Sequence, residues 1–114
     1  PTIVLKDGKP LFSVGAAGGP TIISQTVLAI IRVIDFGMSI EDSLAAPRFH
    51  HQWRPDRIVI EETFPAAVFT RLESMGYALS KTKRIGVSQA VAQDAQGNFS
   101  GAADPRANGL AIAE

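Results

Sequence analysis

Residues 15–20 read Gly-Ala-Ala-Gly-Gly-Pro, and this run of small residues lies between a predicted strand and a predicted helix. A passage from strand to helix leaves the first amide groups of the helix without intrahelical acceptors. Glycine puts no Cβ beside those amides, so a ligand can approach the backbone closely. The loop therefore predicts a site for negative charge, either an oxyanion formed during acyl transfer or a phosphate group.

The same local pattern is also typical of a tight strand–helix connection that binds nothing. The chain lacks the dinucleotide signature Gly-x-Gly-x-x-Gly and the Lys-Ser/Thr ending of a nucleotide P-loop. Residues 15–20 alone thus leave three alternatives open: an oxyanion site, a phosphate site and a plain connection.

The other patterns along the chain mix strands with helices and predict an α+β fold. Strands are predicted at Thr2–Leu5, Pro10–Val14, Arg57–Glu61, Tyr77–Lys81, Ile85–Asp94 and Phe99–Ala102. Helices are predicted after Pro20, at Ile40–Ala46 behind a Ser39/Asp42 capping box, and at Phe64–Met75. We expect antiparallel hairpins at both ends of the chain, the second joining Ile85–Asp94 to Phe99–Ala102, and helices that cover one face of a sheet. An exposed hairpin face is also expected at Lys81, Lys83 and Arg84.

The helix after Pro20 is apolar on almost every side. Its repeating apolar positions are Ile23, Val27, Ile30, Ile31 and Ile34. Only Gln25, Arg32 and Asp35 are clearly polar. The pattern predicts a mostly buried helix, closed by a left-handed Gly37.

Composition narrows the classes of function. Eleven basic residues balance eleven acidic ones, which argues against nucleic acid or an anionic membrane surface as a partner. The absence of cysteine excludes thiolate metal sites and a cysteine nucleophile. The longest apolar stretch, residues 27–36, contains Arg32 and Asp35 and is too short and too polar to span a membrane.

Five segments of the chain, in their order and spacing, closely resemble the gamma-glutamyltransferases. They are Pro1-Thr2-Ile3-Val4, Gly-Ala-Ala-Gly-Gly-Pro at 15–20, Ile-Asp-Phe-Gly-Met at 34–38, Ala-Pro-Arg-Phe-His-His-Gln-Trp at 46–53, and Gly-Ala-Ala-Asp-Pro-Arg at 101–106. The likeness extends from Pro1 to about Arg106. It implies an N-terminal-nucleophile hydrolase with an αββα sandwich. Residues 1–114 would then be a single incomplete domain, the C-terminal portion of the small catalytic subunit.

The resemblance also implies a reaction. In this family a precursor cleaves itself, and the freed N-terminal threonine of the small subunit attacks the γ-glutamyl amide of donors such as glutathione. The γ-glutamyl group then passes from the acyl-enzyme to water, an amino acid or a short peptide. Gly18 and Gly19 would form the oxyanion hole with their backbone N–H groups.

In the family, the catalytic threonine and most glutamate-binding side chains lie before the position that matches Pro1. We therefore expect this chain alone to be inactive, to need no cofactor, and to have the large subunit and the remainder of the small subunit as partners. The resemblance also implies a periplasmic or extracellular location. Many members have Gly-Ser-Pro-Gly-Gly where this chain has Gly15-Ala-Ala-Gly-Gly. An enzyme of the same fold that cleaves another amide, such as an acylase, is therefore an alternative parent.

Other chemically capable side chains have structural interpretations. His50 and His51 are adjacent on a predicted strand and point to opposite faces, and no third His or Cys completes a zinc site, so no metal site is predicted. Glu61 and Glu62 are expected at a strand end, facing solvent.

Two arginines follow prolines. Arginine is well suited to tie loops together through carboxylates or carbonyl groups. Asp104 is a local partner for either Arg48 or Arg106. We interpret these three residues as candidates for a structural or processing role rather than for substrate binding.

Two further hypotheses concern the chain as a whole. It could be a free-standing α+β module that binds an anion or a protein partner at the Gly18–Gly19 helix start, and it would then be a folded monomer. It could also self-associate through open strand edges. The enzyme-part hypothesis predicts instead an exposed apolar surface that the rest of the precursor covers.

Overall fold

The computed structural model describes residues 1–112, and the last two residues of the predicted range 1–114 lie outside the described part. Its elements in chain order are β1 (Thr2–Lys6), β2 (Lys9–Ala17), α1 (Thr21–Ile34), α2 (Ile40–Ala45), β3 (Phe49–His50), β4 (Ile58–Glu61), α3 (Ala66–Ser74), β5 (Leu79–Thr82), β6 (Val87–Gln93) and β7 (Phe99–Ala103). The mixture of helices with mainly antiparallel strands confirms the α+β prediction. Within residues 1–112, no helix is long and apolar enough to cross a membrane.

The chain divides into two compact units. One combines Pro1–Ala46 with the chain from Gly86 onward, and the other is Pro47–Ile85. Whether they form one incomplete domain of a longer protein stays a prediction.

The first unit contains a four-stranded antiparallel sheet in the order β1-β2-β6-β7. Helices α1 and α2 pack against it and against each other. The buried core between helices and sheet consists of Phe12, Val14, Ala29, Ile40, Leu44, Ala90 and Ala102. Alternate residues of β2 and β6 therefore face these helices, as expected for a sheet that has one covered face.

The second unit contains a three-stranded sheet in the order β3-β4-β5, with Ile58, Ile60 and Phe69 as its core. Strands β4 and β5 are parallel, because α3 connects them as a crossover helix. The predicted hairpin face at Lys81, Lys83 and Arg84 is therefore wrong, whereas the predicted hairpin of Ile85–Asp94 with Phe99–Ala102 is confirmed. Strand β5 pairs with β4, whereas β6 pairs with β2 and β7.

Strand β2 is longer than predicted. Gly15, Ala16 and Ala17 continue the strand and pair with Gln89, Ser88 and Val87 of β6. The predicted six-residue loop shrinks to residues 18–20, since pairing with a distant strand holds even small residues extended. Local composition cannot reveal such a partner.

Helix α1 is oriented against the sequence-based expectation. Its buried positions are Gln25, Ala29 and Arg32, while most of the predicted apolar face is exposed. The exposed residues are Ile22, Ile23, Val27, Ile31 and Ile34. Burial of Gln25 and Arg32 is tolerated because both are hydrogen-bonded: Arg32, for example, donates to the carbonyls of Ser43 and Ala46.

Two local predictions about helix ends are confirmed. The Ser39 hydroxyl accepts a hydrogen bond from the Asp42 amide at 3.0 Å, which caps α2. Gly37, beyond the end of α1, has a left-handed φ of 66°.

The prediction that Glu61 faces solvent is wrong. Its carboxylate is buried and accepts hydrogen bonds from the Ile85 amide at 2.7 Å and the Arg48 amide at 2.9 Å. The neighbouring Glu62 is exposed, as predicted. Glu61 thus accepts hydrogen bonds from two buried backbone donors. Both donors lie far from Glu61 in the sequence, so the residues beside it give no sign of these contacts.

We predict that Glu61→Ala lowers the free energy of unfolding by about 3 kcal/mol, because two buried amides lose their acceptor. Glu62→Ala, one position along, is the matched control and should change it by less than about 0.5 kcal/mol. Urea denaturation followed by circular dichroism measures both. Equal midpoints for the two variants would show that the Glu61 contacts contribute nothing to stability.

Candidate active site

The Gly18–Gly19 turn lies where β2 ends and α1 begins. Gly18 has a φ of 143° and Gly19 a φ of 59°, conformations that side chains disfavour. Both glycines are exposed. Their carbonyl oxygens accept hydrogen bonds from the amides of Thr21, at 3.3 Å, and Ile22, at 3.1 Å. The chain therefore bends sharply here and enters the helix without a side chain over the backbone.

No acidic side chain of α1 competes for the amide groups at this turn. Helix α1 has no acidic residue in its first turn, and Pro20 provides no side-chain cap. Outside the regular strands and helices, the backbone hydrogen bonds among residues 1–112 include none donated by Gly18 or Gly19. The partial positive charge of the helix start is thus not neutralised locally by a carboxylate.

A pocket of about 340 Å³ adjoins the turn. It is lined by the end of β2 and the start of β6, through Gly15, Ala16, Ala17, Val87 and Gln89. The lining on the β2 side is small, and no atom lies within 4 Å of the position that a Cβ on Gly15 would take. The pocket reaches the glycine turn through Ala17, the residue before Gly18.

Gln25 contacts the turn from inside the unit. This side chain is only 2% exposed. Its Nε2 group donates to the Ala17 carbonyl at 3.2 Å and to the Thr21 hydroxyl at 3.0 Å. The Thr21 hydroxyl in turn donates to the Gly18 carbonyl at 2.9 Å.

A buried polar network continues behind Gln25. The Ser88 hydroxyl donates to Gln25 Oε1 at 2.9 Å, and the Ser88 amide donates to Asp104 Oδ2 at 2.7 Å. Asp104 also binds Arg106, whose Nη1 is 3.1 Å from Oδ1. The guanidinium of Arg106 then reaches the carbonyls at the end of α2, among them Leu44 at 2.7 Å. This network joins the glycine turn to the strand β6, the end of β7 and α2.

The other candidate residues lie elsewhere. Arg48 is buried in the second unit and donates to the Ile85 carbonyl at 3.0 Å. His50 contacts Gln52, whereas His51 contacts Asp56, so the two imidazoles have different partners. No group of three metal-ligating side chains occurs among the described residues. A structural or processing role for Arg48, Asp104 and Arg106 stays a prediction.

Sequence reasoning missed three residues at the turn: Gln25, Gly86 and Ser88. In the sequence, Gln25 is one of three clearly polar positions on an apolar helix, and Ser88 is one residue of a predicted strand. Gly86 has a φ of 55°, and a Cβ there would lie 2.0 Å from Gln25 Nε2 and 2.5 Å from the Ala17 oxygen. The sequence around a polar helix residue does not reveal that the residue is buried, because its burial depends on which face of the helix the sheet covers.

Comparison with known proteins places the chain in a family. The family model described as gamma-glutamyltranspeptidase matches residues 1–114. The glutathione hydrolase proenzyme of Escherichia coli is 37% identical over 106 residues, which cover 93% of this chain and 18% of that protein. An acylase proenzyme from Pseudomonas sp. (strain SE83) is 32% identical over 115 residues, covering 99% of this chain and 20% of that protein. The chain thus spans about a fifth of the length of these relatives.

A solved structure has the same fold. The crystal structure of Helicobacter pylori gamma-glutamyltranspeptidase superposes with a TM-score of 0.88 at 40% identity, covering 94% of this chain and 60% of that one. The fold expectation, part of the αββα sandwich of the N-terminal-nucleophile hydrolases, is thereby confirmed. By its sequence and its fold, this chain belongs to the gamma-glutamyltranspeptidase family.

Proposed function

We propose that this chain is the C-terminal portion of the small catalytic subunit of an enzyme that cleaves γ-glutamyl amides such as glutathione. A threonine from another part of the precursor attacks the amide carbonyl and forms an acyl-enzyme. Water, an amino acid or a short peptide then accepts the γ-glutamyl group. The contribution of this chain is the pair of backbone N–H groups of Gly18 and Gly19, which bind the oxyanion of the tetrahedral intermediate.

The geometry of the glycine turn carries this proposal. Attack on an amide converts a neutral carbonyl oxygen into an oxyanion, and fixed donors at that place stabilise the transition state more than the substrate. Gly18 and Gly19 are adjacent and exposed, and the preceding residue, Ala17, lines a pocket of about 340 Å³. No acidic side chain occupies the first turn of α1. A pair of amides at such a position can bind one oxygen atom from two directions.

The same turn could in principle bind a free anion, as the module hypothesis states. Two exposed apolar surfaces of the first unit favour the hypothesis that the chain is part of a larger enzyme. On the outer face of α1, Ile23 is 72% exposed and Ile34 is 49% exposed. On the opposite face of the four-stranded sheet, Ile3 is 65% exposed and Phe99 is 65% exposed. A free-standing monomer rarely exposes so much apolar area.

We propose that the remainder of the precursor covers these surfaces. The chain corresponds to 18% of the E. coli relative, and that relative is named a proenzyme. An αββα sandwich places a second sheet against the first, which accounts for apolar residues on the sheet face that α1 and α2 leave open. The partners of this chain are accordingly the large subunit and the rest of the small subunit.

One relative of the chain is named an acylase. The class of substrate that is cleaved distinguishes the proposed enzyme from an acylase. We expect the full-length protein to release product from a γ-glutamyl anilide and from glutathione, and not from an N-acyl amide that lacks the α-amino and α-carboxyl groups of glutamate. Comparison of kcat/KM for the three compounds tests this. A higher kcat/KM for the simple acyl amide would assign the protein to the acylases.

We predict that Gly19→Ala in the full-length protein lowers kcat about a hundredfold, the scale of one lost oxyanion donor. An alanine side chain disfavours the left-handed conformation of residue 19, so the substituted backbone turns its amide away from the oxyanion. Gly8→Ala is the matched control, since Gly8 has a φ of 76° and, like Gly19, nothing within 4 Å of the added Cβ. The two variants should lose similar stability, and only Gly19→Ala should lose turnover. Equal kcat values would remove the oxyanion role.

The covered-surface proposal predicts opposite effects of one substitution in two contexts. In the chain 1–114 alone, Ile23→Lys should reduce self-association and binding of an apolar dye, because it breaks an exposed apolar face. In the full-length protein it should lower the melting temperature, because the same face is buried there. Thr70→Lys, on exposed α3, is the control and should do neither. A melting temperature unchanged by Ile23→Lys would show that nothing covers α1.

A further inference from the structure

We propose that Gln25 is a positioning residue that sets the direction of both oxyanion-binding amides from the far side of their peptide groups. This inference rests on the proposed function of Gly18 and Gly19. It assigns to a buried helix residue the control of two N–H groups that it does not itself contact.

The argument starts from the planarity of the peptide bond. The N–H of Gly18 belongs to the same rigid group as the carbonyl of Ala17, and the N–H of Gly19 belongs to the same group as the carbonyl of Gly18. In a trans peptide these two bonds point in opposite directions. A hydrogen bond that fixes one carbonyl oxygen therefore fixes the direction of the N–H on the other side.

Both of these carbonyl oxygens are connected to Gln25, and the Gly18 oxygen accepts in addition from the Thr21 amide at 3.3 Å. Its amide nitrogen donates directly to the Ala17 oxygen at 3.2 Å and to the Thr21 hydroxyl at 3.0 Å. The Thr21 hydroxyl passes the interaction on, since it donates its own hydrogen to the Gly18 oxygen at 2.9 Å. One side-chain NH₂ group, with two hydrogens, is thus connected to both peptide groups of the turn.

The orientation of the Gln25 amide is itself determined by its partners. Carbonyl oxygens only accept, so the NH₂ end must face Ala17. At the other end, the Ser88 hydroxyl lies 2.9 Å from Oε1 and donates to it. Gln25 and Ser88 are 2% and 1% exposed, so water does not replace these bonds readily. A flipped amide would place Oε1 against the carbonyl oxygen of Ala17, so that two acceptors would face each other.

The surrounding backbone leaves space for this amide and for little else. A Cβ on Gly86 would lie 2.0 Å from Gln25 Nε2, and a Cβ on Gly18 would lie 3.1 Å from the same nitrogen. The two glycines therefore form the walls of the space that the Gln25 amide fills. Hydrogen bonds to the two carbonyls also polarise the peptide groups and make their N–H groups better donors.

The test compares two buried serines in the full-length protein. Ser88→Ala removes the hydroxyl that holds Gln25, whereas Ser43→Ala removes a hydroxyl that binds the Ala29 carbonyl at 3.2 Å in the same unit. Both serines are 1% exposed. We expect similar losses in melting temperature, and a fall in kcat of about three- to tenfold for Ser88→Ala alone, the effect of one uncharged hydrogen bond.

Gln25→Met tests the residue itself, since methionine is similar in length but donates nothing. We expect kcat to fall by up to about a hundredfold with little change in KM, because the misdirected amides serve the transition state. Kinetics are measured on the cleaved enzyme after the cleaved fraction has been determined on a gel. Unchanged kcat in both Gln25→Met and Ser88→Ala, with an active wild type, would overturn the inference.

Crystal structures of the same variants separate this inference from the proposed function. We expect the Ala17–Gly18 and Gly18–Gly19 peptide planes to rotate in Gln25→Met, or in Ser88→Ala if the first variant does not fold, and to stay in place in Ser43→Ala. An inactive wild type would reject the proposed function, while unrotated planes would reject the positioning role of Gln25.

Discussion

Helix α1 lies on its sheet through a narrow stripe of polar and small residues, and the arrangement of the first unit depends on the hydrogen bonds of that stripe. Gln25 joins the helix to the end of β2 and to β6, and Arg32 joins it to α2. Ala29, between them, allows close approach to Ser43. A buried amide or guanidinium without partners would cost more than the contact contributes. The helix can therefore rest on this face in only one register.

This constraint explains how the glycine turn acquires its shape. Gln25 lies less than two helical turns after Gly18 and Gly19. A long side chain at this position, on the covered face of α1, can therefore reach back to Ala17, the last residue of β2. The network behind it joins three segments of the chain: β6 through Ser88, the residues after β7 through Asp104 and Arg106, and α2 through the Leu44 carbonyl. The glycine turn is thus supported by a buried hydrogen-bonded network, although its own exposed surface is bare backbone.

Much of the fold could be predicted from the sequence, and the failures have physical causes. Local signals were sufficient for the Ser39 cap, for the left-handed Gly37 and for the glycine turn itself, since each depends on a few neighbouring residues. The covered face of α1 was assigned incorrectly, because an apolar face can be reserved for a surface outside the chain. Glu61 was assigned to solvent because its two amide donors come from distant positions. Gln25 and Ser88 were missed for the same reason.

The C=O and N–H of a planar peptide group point in opposite directions, and fixing one fixes the other. This linkage affects how the turnover of an enzyme with backbone donors can be changed by mutation. Substitutions in the lining of a pocket alter rate and substrate fit together, since the same atoms serve both. Under the roles proposed for Gly18, Gly19 and Gln25, the donors would be adjusted from behind, by a buried helix side chain that holds the peptide groups rather than the substrate. Selection or laboratory evolution can therefore retune turnover at position 25 or its supporting serine while the recognition surface stays chemically identical.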